Sequence, residues 1–557
     1  MDAPARQEII HLLLDRCLLA SPDLFQHASL TPEHVQSLLQ RVSSEHLTVL
    51  TKDVYAFFSL PASRNQQLDI DWLAFDDTRV SFEKKRQSKS YHSFLELLQP
   101  PSSVPSPPSL PLPLAESKPV LRITHTSPTQ QTVDIAPLVT IVRDYDEPSK
   151  KRGIKDFVSY YKHRYQFLVS ILKQRTELQN VLSLNRVAHK QSGENFSLIG
   201  VVYNKVVTRN GHVILTLEDT TGQVKVFIGK DGPLKDLIPY LTFDEVIGVC
   251  GSMKNGLFFA THLFFPDIPV DHKAKTTPDE VYAAFISDVH IGSKLFLEKE
   301  FLRFIDWLNG NVGSDAQKAM AKKVKYLFVV GDVVDGVGVY PGQESELALP
   351  DVIDQYKRTR ELLSLIRSDL QIILCPGNHD AVRIAEPQPR VNEFSDSLLG
   401  LPNLTLVSNP SLVTIHTTSS FPGVDVLLYH GFSYDYYAST IEPIRTGGAY
   451  NRIDLVMKFL LQKRHLAPSH TSTQYIPSTE RDTLLIEKIP DIFTSGHIHK
   501  SSLGNHHGVL LIGCSCWQSK TSFQEKMGHN PDPGRVPIVN LQTREITTID
   551  FCQEMPS

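Results

Sequence analysis

Near-continuous apolar runs that end on metal-ligating residues constrain this 557-residue chain more than any other feature. Tyr282–Ser287 runs into Asp288-Val289-His290, Tyr326–Val330 into Gly331-Asp332, and Gln371–Cys375 into Pro376-Gly377-Asn378-His379-Asp380. Such runs fit strands covered on both faces. Between them, Phe301–Leu308 and Thr359–Ile366 carry helical apolar faces. The pattern specifies an α/β core with polar residues gathered beyond the strand ends.

Two later blocks, Tyr429-His430-Gly431 and Ser495-Gly496-His497-Ile498-His499, add three histidines. An aspartate and a histidine two residues apart, Asp288 and His290, can project from one loop toward one ion. Asp332 suits a place between two cations, because a carboxylate has two oxygens and offsets positive charge. Asn378 offers a neutral carbonyl oxygen. His379 beside it could donate a proton or contact phosphate, and Asp335 reads as a support for the ligands or as a local turn. Singly each block is weak, since a lone histidine is more often structural. Together they bury too many ionisable groups to be tolerated unless paired or metal-bound. Mixed oxygen and imidazole donors suit Mn, Fe or Zn, with Mn the expectation for nuclease work and Mg or Ni left open.

The rest of the chain divides into further parts, as its length requires. Residues 1–75 read as a small helical domain, in which Thr31 caps and Pro32 opens a helix; docking is favoured over DNA contact. A Pro/Ser-rich linker follows over 76–130, with Pro100-Pro101 and Pro107-Pro108 at its centre. Residues 131–190 form a mixed, basic connecting region, whose Lys162, Arg164, Tyr160 and Tyr161 suggest either a partner or phosphate surface or a solvated basic face. Short strands over 191–268, with a hairpin at Asn210-Gly211, favour an OB-type barrel, read as packing before DNA binding. The six cysteines include no CxxC pair, and no apolar stretch reaches membrane length. A cytoplasmic location is the default expectation. A net charge of -5 argues against tight DNA binding by this chain alone.

Over 280–515 the order and type of these blocks resemble the calcineurin-like metallophosphoesterases. That resemblance implies two divalent ions: one held by Asp288, His290 and His499, the other by Asn378, His430 and His497, with Asp332 between and His379 as proton donor. Through nearly its whole length the chain also resembles the small subunits of archaeal family D DNA polymerases. The run from Gly331 to Gln343, Tyr429-His430-Gly431 and Gly513-Cys514-Ser515-Cys516-Trp517-Gln518 carry this likeness. It implies a multidomain α/β chain, with a phosphoesterase sandwich at 280–557 preceded by the barrel and the helical domain. It further implies 3′–5′ exonuclease proofreading alongside a large catalytic subunit on primer-template DNA, with further replication-factor contacts. A repair nuclease, a phosphatase and a non-catalytic polymerase scaffold are the competing readings.

Overall fold

The computed structural model describes residues 139–554 except 146, 148, 149, 191, 192, 392, 393, 395, 396, 479 and 528. It also describes 3–14, 19–20, 24–25, 30–39, 49–50 and 55. The proline-rich linker expected over 76–130 lies outside the described residues. Residues 1–129 form one unit, in which α1 (Ala3–Leu14) and α2 (Pro32–Leu39) are described. Helix α2 begins at the expected signal: the Thr31 hydroxyl accepts the His34 N–H at 3.3 Å, and Pro32 has no N–H to leave unpaired. Ile9, Leu13 and Val35 are buried within this unit.

The second unit, 130–557, opens with β1 (Val139–Arg143) and α3 (Ile154–Leu172). Five strands then close a barrel: β2 (Asn195–Val207), β3 (Val213–Asp219), β4 (Gly222–Ile228), β5 (Val246–Lys254) and β6 (Leu257–Phe264). They pair in the order β2-β3-β4-β6-β5, and β5 returns antiparallel to β2. This is the circuit of an OB-type barrel. Leu215, Leu217, Val226, Val249 and Phe258 fill its interior. The β2–β3 turn needs the expected glycine, since Gly211 sits at φ +81°.

Two six-stranded sheets follow. Their strands are β7 (Tyr282–Ile286), β8 (Val324–Val330), β9 (Gln371–Cys375), β10 (Leu404–Leu406), β11 (Ser411–Ile415) and β12 (Val424–Leu428). The remainder are β13 (Ile492–Ser495), β14 (Ser502–His506), β15 (Val509–Gly513), β16 (Arg535–Asn540) and β17 (Ile546–Asp550). One sheet runs β10-β9-β8-β7-β16-β17, with β7 to β10 parallel; the other runs β14-β15-β13-β12-β11-β1. Alternation on β8 explains the stacking: Tyr326, Phe328 and Val330 point into the core between the sheets, Leu327 and Val329 toward outer helices. Those helices are α4 (Glu298–Leu308) and α5 (Val352–Ser364). On the other flank α6 (Tyr434–Thr440) and α7 (Ile453–Lys463) cover the second sheet. Both faces of each sheet are thereby buried, as the uninterrupted apolar runs require.

Two features differ from the sequence reading. Strand β1 lies far before residue 280, yet it pairs antiparallel with β11 and so completes the second sheet. Helix α3 does not turn its Tyr160–Arg164 side to solvent. Arg164 is buried, and its Nε donates to Asp482 Oδ2 at 2.6 Å. Tyr160 stacks on Tyr475 at 5.3 Å. The helix therefore straps the barrel to the sandwich, while Lys155 and Lys162 keep the exposed side. Each of the sequence readings put this cation on a surface, because its partner is more than three hundred residues away in sequence.

Candidate metal centre

Every ligand block ends a strand at the same edge of the sandwich. Asp288 and His290 follow β7, Asp332 follows β8, Asn378 follows β9, His430 follows β12, and His497 and His499 follow β13. Tight reversals are needed to aim side chains back over the strand ends. Asp288, His290, Asp332, His497 and His499 accordingly sit at φ of +52°, +55°, +49°, +72° and +59°. Left-handed backbone costs a non-glycine residue about 1–3 kcal/mol, and surrounding packing must sustain it. Gly377 permits a close approach: a Cβ there would lie 2.2 Å from Asp332 Oδ1 and 2.7 Å from His430 Nε2.

Six of the seven expected ligands fall into two groups, and Asn378 lines the same cavity as Asp332 and His497. Asp288, His290 and His499 form one group able to hold a cation, and Asp332, His430 and His497 form another. In the first, His499 Nε2 lies 3.3 Å from Asp288 Oδ1 and 3.1 Å from His290 Nε2. In the second, His430 Nε2 lies 3.2 Å from Asp332 Oδ2.

Hydrogen bonds fix which ring nitrogen each histidine can offer. His290 Nδ1–H donates to Asp335 Oδ1 at 3.0 Å, and His430 Nδ1–H donates to the Val330 carbonyl at 2.8 Å. Each therefore turns Nε2 toward its cluster. His497 differs, because its Nε2 bonds Asp435 Oδ2 at 3.1 Å and leaves Nδ1 as the atom to offer. Its backbone N–H donates to Asp288 Oδ2 at 2.9 Å, which joins the two clusters.

The Asn378 Oδ1 atom is buried with no hydrogen-bond partner. Orphaned buried polar atoms are rare because each carries an uncompensated desolvation cost. A cation would satisfy it, and the carboxylate and imidazole donors of the two groups fit a metal. Burial by itself raises the Asp332 carboxyl, but His430 and His379 outweigh it and hold the group well below the usual range. Burial lowers His430, but Asp332 outweighs that and pushes the ring up to about 10. The His430 Nε2 proton thus pairs with Asp332 Oδ2 at 3.2 Å, and a cation held there would displace it.

Asp335 is a hydrogen-bond acceptor for the ligands, and with His290 and His379 it forms a third group able to hold a cation. It accepts His290 Nδ1–H, Gln343 Nε2–H at 3.0 Å and Gln518 Nε2–H at 3.0 Å. Both glutamines are plain in the sequence, yet a neutral amide carries no sign of its partner. His379 donates Nδ1–H to the Asp335 carbonyl at 2.8 Å, and its own backbone N–H donates to Asp332 Oδ1 at 2.8 Å. Burial lowers the His379 pKa.

Sequence reasoning left Asp380 without a role. Its buried carboxylate accepts Gly377 N–H at 2.8 Å, Val333 N–H at 3.3 Å and Tyr356 O–H at 3.3 Å, pinning two ligand loops together. Burial and the charge of Asp332 push it up to about 7. Asp435 was likewise unassigned; it orients His497 from α6. The centre opens into a cavity of about 650 Å³, which Tyr340, Tyr436, Tyr450 and His529 also line.

Residues 283–502 match the family of B-subunits of DNA polymerases alpha and epsilon. The DNA polymerase II small subunit of Methanothermobacter thermautotrophicus is 39% identical over 404 residues, covering 72% of this chain and 80% of that protein. The chain belongs to the DNA polymerase II small-subunit family. The Halobacterium salinarum member is 38% identical over 399 residues, covering 71% of this chain and 75% of its own. The Pyrococcus horikoshii member is 35% identical over 447 residues, covering 75% and 70%. This archaeal family D small-subunit homologue carries metal-binding clusters of a phosphoesterase kind. Among its described residues, no helix is long and apolar enough to cross a membrane.

Proposed function

We propose that this small-subunit homologue hydrolyses DNA phosphodiesters from the 3′ end and proofreads for a large catalytic polymerase subunit. The observation that carries the reading is the pair of Asp/His clusters, Asp288–His290–His499 and Asp332–His430–His497, at the floor of one cavity that Asn378 also lines. A scaffold kept only for packing has no reason to sustain them. Asp288, His290 and His499 would hold one divalent ion and Asn378, His430 and His497 the other, with Asp332 between; Mn is the expected metal, with Fe, Zn, Mg and Ni as alternatives. Such ions supply an activated water and neutralise charge on the attacked phosphate.

The chain's own groups do the rest. Asp335 fixes the His290 ring, and Asp435 fixes His497. His379 keeps Nδ1–H on the Asp335 carbonyl, so Nε2 is the atom that can carry a proton to the departing 3′ oxygen. Because burial lowers its pKa, an entering anionic phosphate is what would favour the protonated ring. No serine or cysteine nucleophile is required.

The relatives' description as small subunits of DNA polymerase II supports the partner. A net charge of -5 supports it too, since a large subunit would then supply the grip on primer-template DNA. The test uses end-labelled, 3′-mismatched DNA and Mn, with and without the large subunit. Mononucleotide release, faster at mismatched ends in the complex, is expected. Hydrolysis confined to phosphopeptides or mononucleotides would instead establish a phosphatase, and no hydrolysis in either state a scaffold.

A further inference from the structure

Outside the metal cavity, three parts of the molecule converge on one shallow groove. Helix α3 contributes Tyr161, the barrel contributes Tyr203 and Phe243, and the sandwich contributes His470 and Tyr436. Tyr436 also lines the metal cavity, so groove and cavity share a wall.

Tyr203 is 61% exposed and Phe243 45% exposed. Large rings left in water adjacent to a deep polar site need an explanation, because contiguous exposed apolar surface marks binding. The groove is also held in shape before anything binds. The Tyr161 hydroxyl lies 2.6 Å from the Tyr475 hydroxyl and 3.0 Å from His470 Nδ1. The His470 N–H donates to Asp244 Oδ2 at 2.9 Å, and the buried Thr242 and Ser469 hydroxyls bond at 2.6 Å.

We infer that this groove is a stacking track for the unpaired nucleotides that lead a single strand's 3′ end into the metal cavity. The inference rests on the proposed nuclease reading and names how its substrate is held. Aromatic faces take any base without reading sequence, as a site working on arbitrary DNA ends requires. The charges argue for bases rather than phosphates as the contact: Asp244 lines the groove and Asp435 the adjoining cavity, and both repel a phosphate. The strand's backbone therefore faces solvent or the large subunit, and its bases face the rings. Continuity with the cavity through Tyr436 favours a strand over a docked protein segment.

The experiment measures binding of a fluorescein-labelled single-stranded thymidine oligonucleotide to the full chain by anisotropy in EDTA, where hydrolysis is suppressed. Tyr203→Ala and Phe243→Ala, both at exposed positions, are each expected to weaken binding about tenfold. Tyr203→Phe should retain affinity, whereas Phe243→Leu, which keeps apolar bulk without a ring, should lose it. The salt dependence of binding should keep its slope, because no phosphate contact is removed. Hydrolysis of bis(p-nitrophenyl) phosphate, too small to reach the groove, should persist in all four variants. Unchanged oligonucleotide affinity in the Tyr203→Ala/Phe243→Ala double variant overturns the track. Failure of that variant to bind the large subunit, with oligonucleotide affinity intact, overturns it in favour of a protein-docking face. Should the unaltered chain hydrolyse no phosphodiester while the variants still lose the oligonucleotide, the nuclease reading falls and the track stands.

Discussion

The metal end of the sandwich and its joint with the barrel both bury charge, but they treat it in opposite ways. At the joint each ion faces its opposite: Arg164 meets Asp482, which also takes His465 Nε2 at 2.9 Å, and Lys463 Nζ lies 2.5 Å from Glu245. At the metal end, three carboxylates and five imidazoles gather without a lysine or arginine among them, five of the eight on left-handed backbone. Paired burial holds domains together. Burial of carboxylates and imidazoles without a fixed cation, sustained by strain, marks a place suited to an ion.

The contrast breaks most directly at Asp332. Asp332→Ala should reduce hydrolysis by about three orders of magnitude or more and lower bound metal, since it removes the carboxylate between the clusters. His499→Ala should behave similarly. Metal analysis beside the exonuclease assay decides this, and full occupancy with full activity in both variants would remove the ligand assignment.

At the joint the same kind of truncation should act on stability instead. Asp482→Ala leaves Arg164 buried without a counter-charge, a loss of about 3–5 kcal/mol in unfolding free energy with metal content unchanged. Burial alone would raise the Asp482 carboxyl, but Arg164 and His465 outweigh it and hold the group far below the usual range. Its contribution is therefore complete above an unfolded-state pKa of about 4 and is lost as pH falls toward the folded value. Denaturant melts at several pH values would expose the opposite trend if the pairing were incidental.

His379→Ala sharpens the comparison within the site. It should slow cleavage about a hundredfold while most metal remains, because the ring borders the clusters without belonging to the proposed ligand set. Complete metal loss in a folded His379→Ala chain would make His379 a ligand. Smaller still, Asp335→Ala should weaken metal affinity about 10–100-fold by freeing the His290 ring, measurable by competition with a chelator.

The mildest test is pH. An ion-free His430 raised to about 10 by Asp332 must give up a proton when a cation enters. Metal affinity should then rise about tenfold per pH unit below that value, with proton release detectable by calorimetry. A flat profile between pH 6 and 9 would mean that the ring is already neutral.

The apolar runs, their capping residues and the barrel's short strands were legible in the sequence because each rests on local periodicity. The candidate ligands were legible for the same reason, since each follows a strand end in the chain. The roles of Asp380, Asp435, Gln343 and Gln518 were not, because each acts through a partner that local pattern does not reveal. Arg164 read as a surface cation until tertiary contact supplied Asp482. Strand β1 could not be assigned to the sandwich, because its partner β11 lies more than two hundred residues away. The sequence by itself determined which strands exist and what chemistry ends them, because propensity and covalent order are local. Only the tertiary structure decided which nitrogen each histidine offers, that Asn378 Oδ1 stays without a donor and how Tyr436 joins the groove to the cavity. Those depend on angles and distances between groups that the chain brings together only when folded.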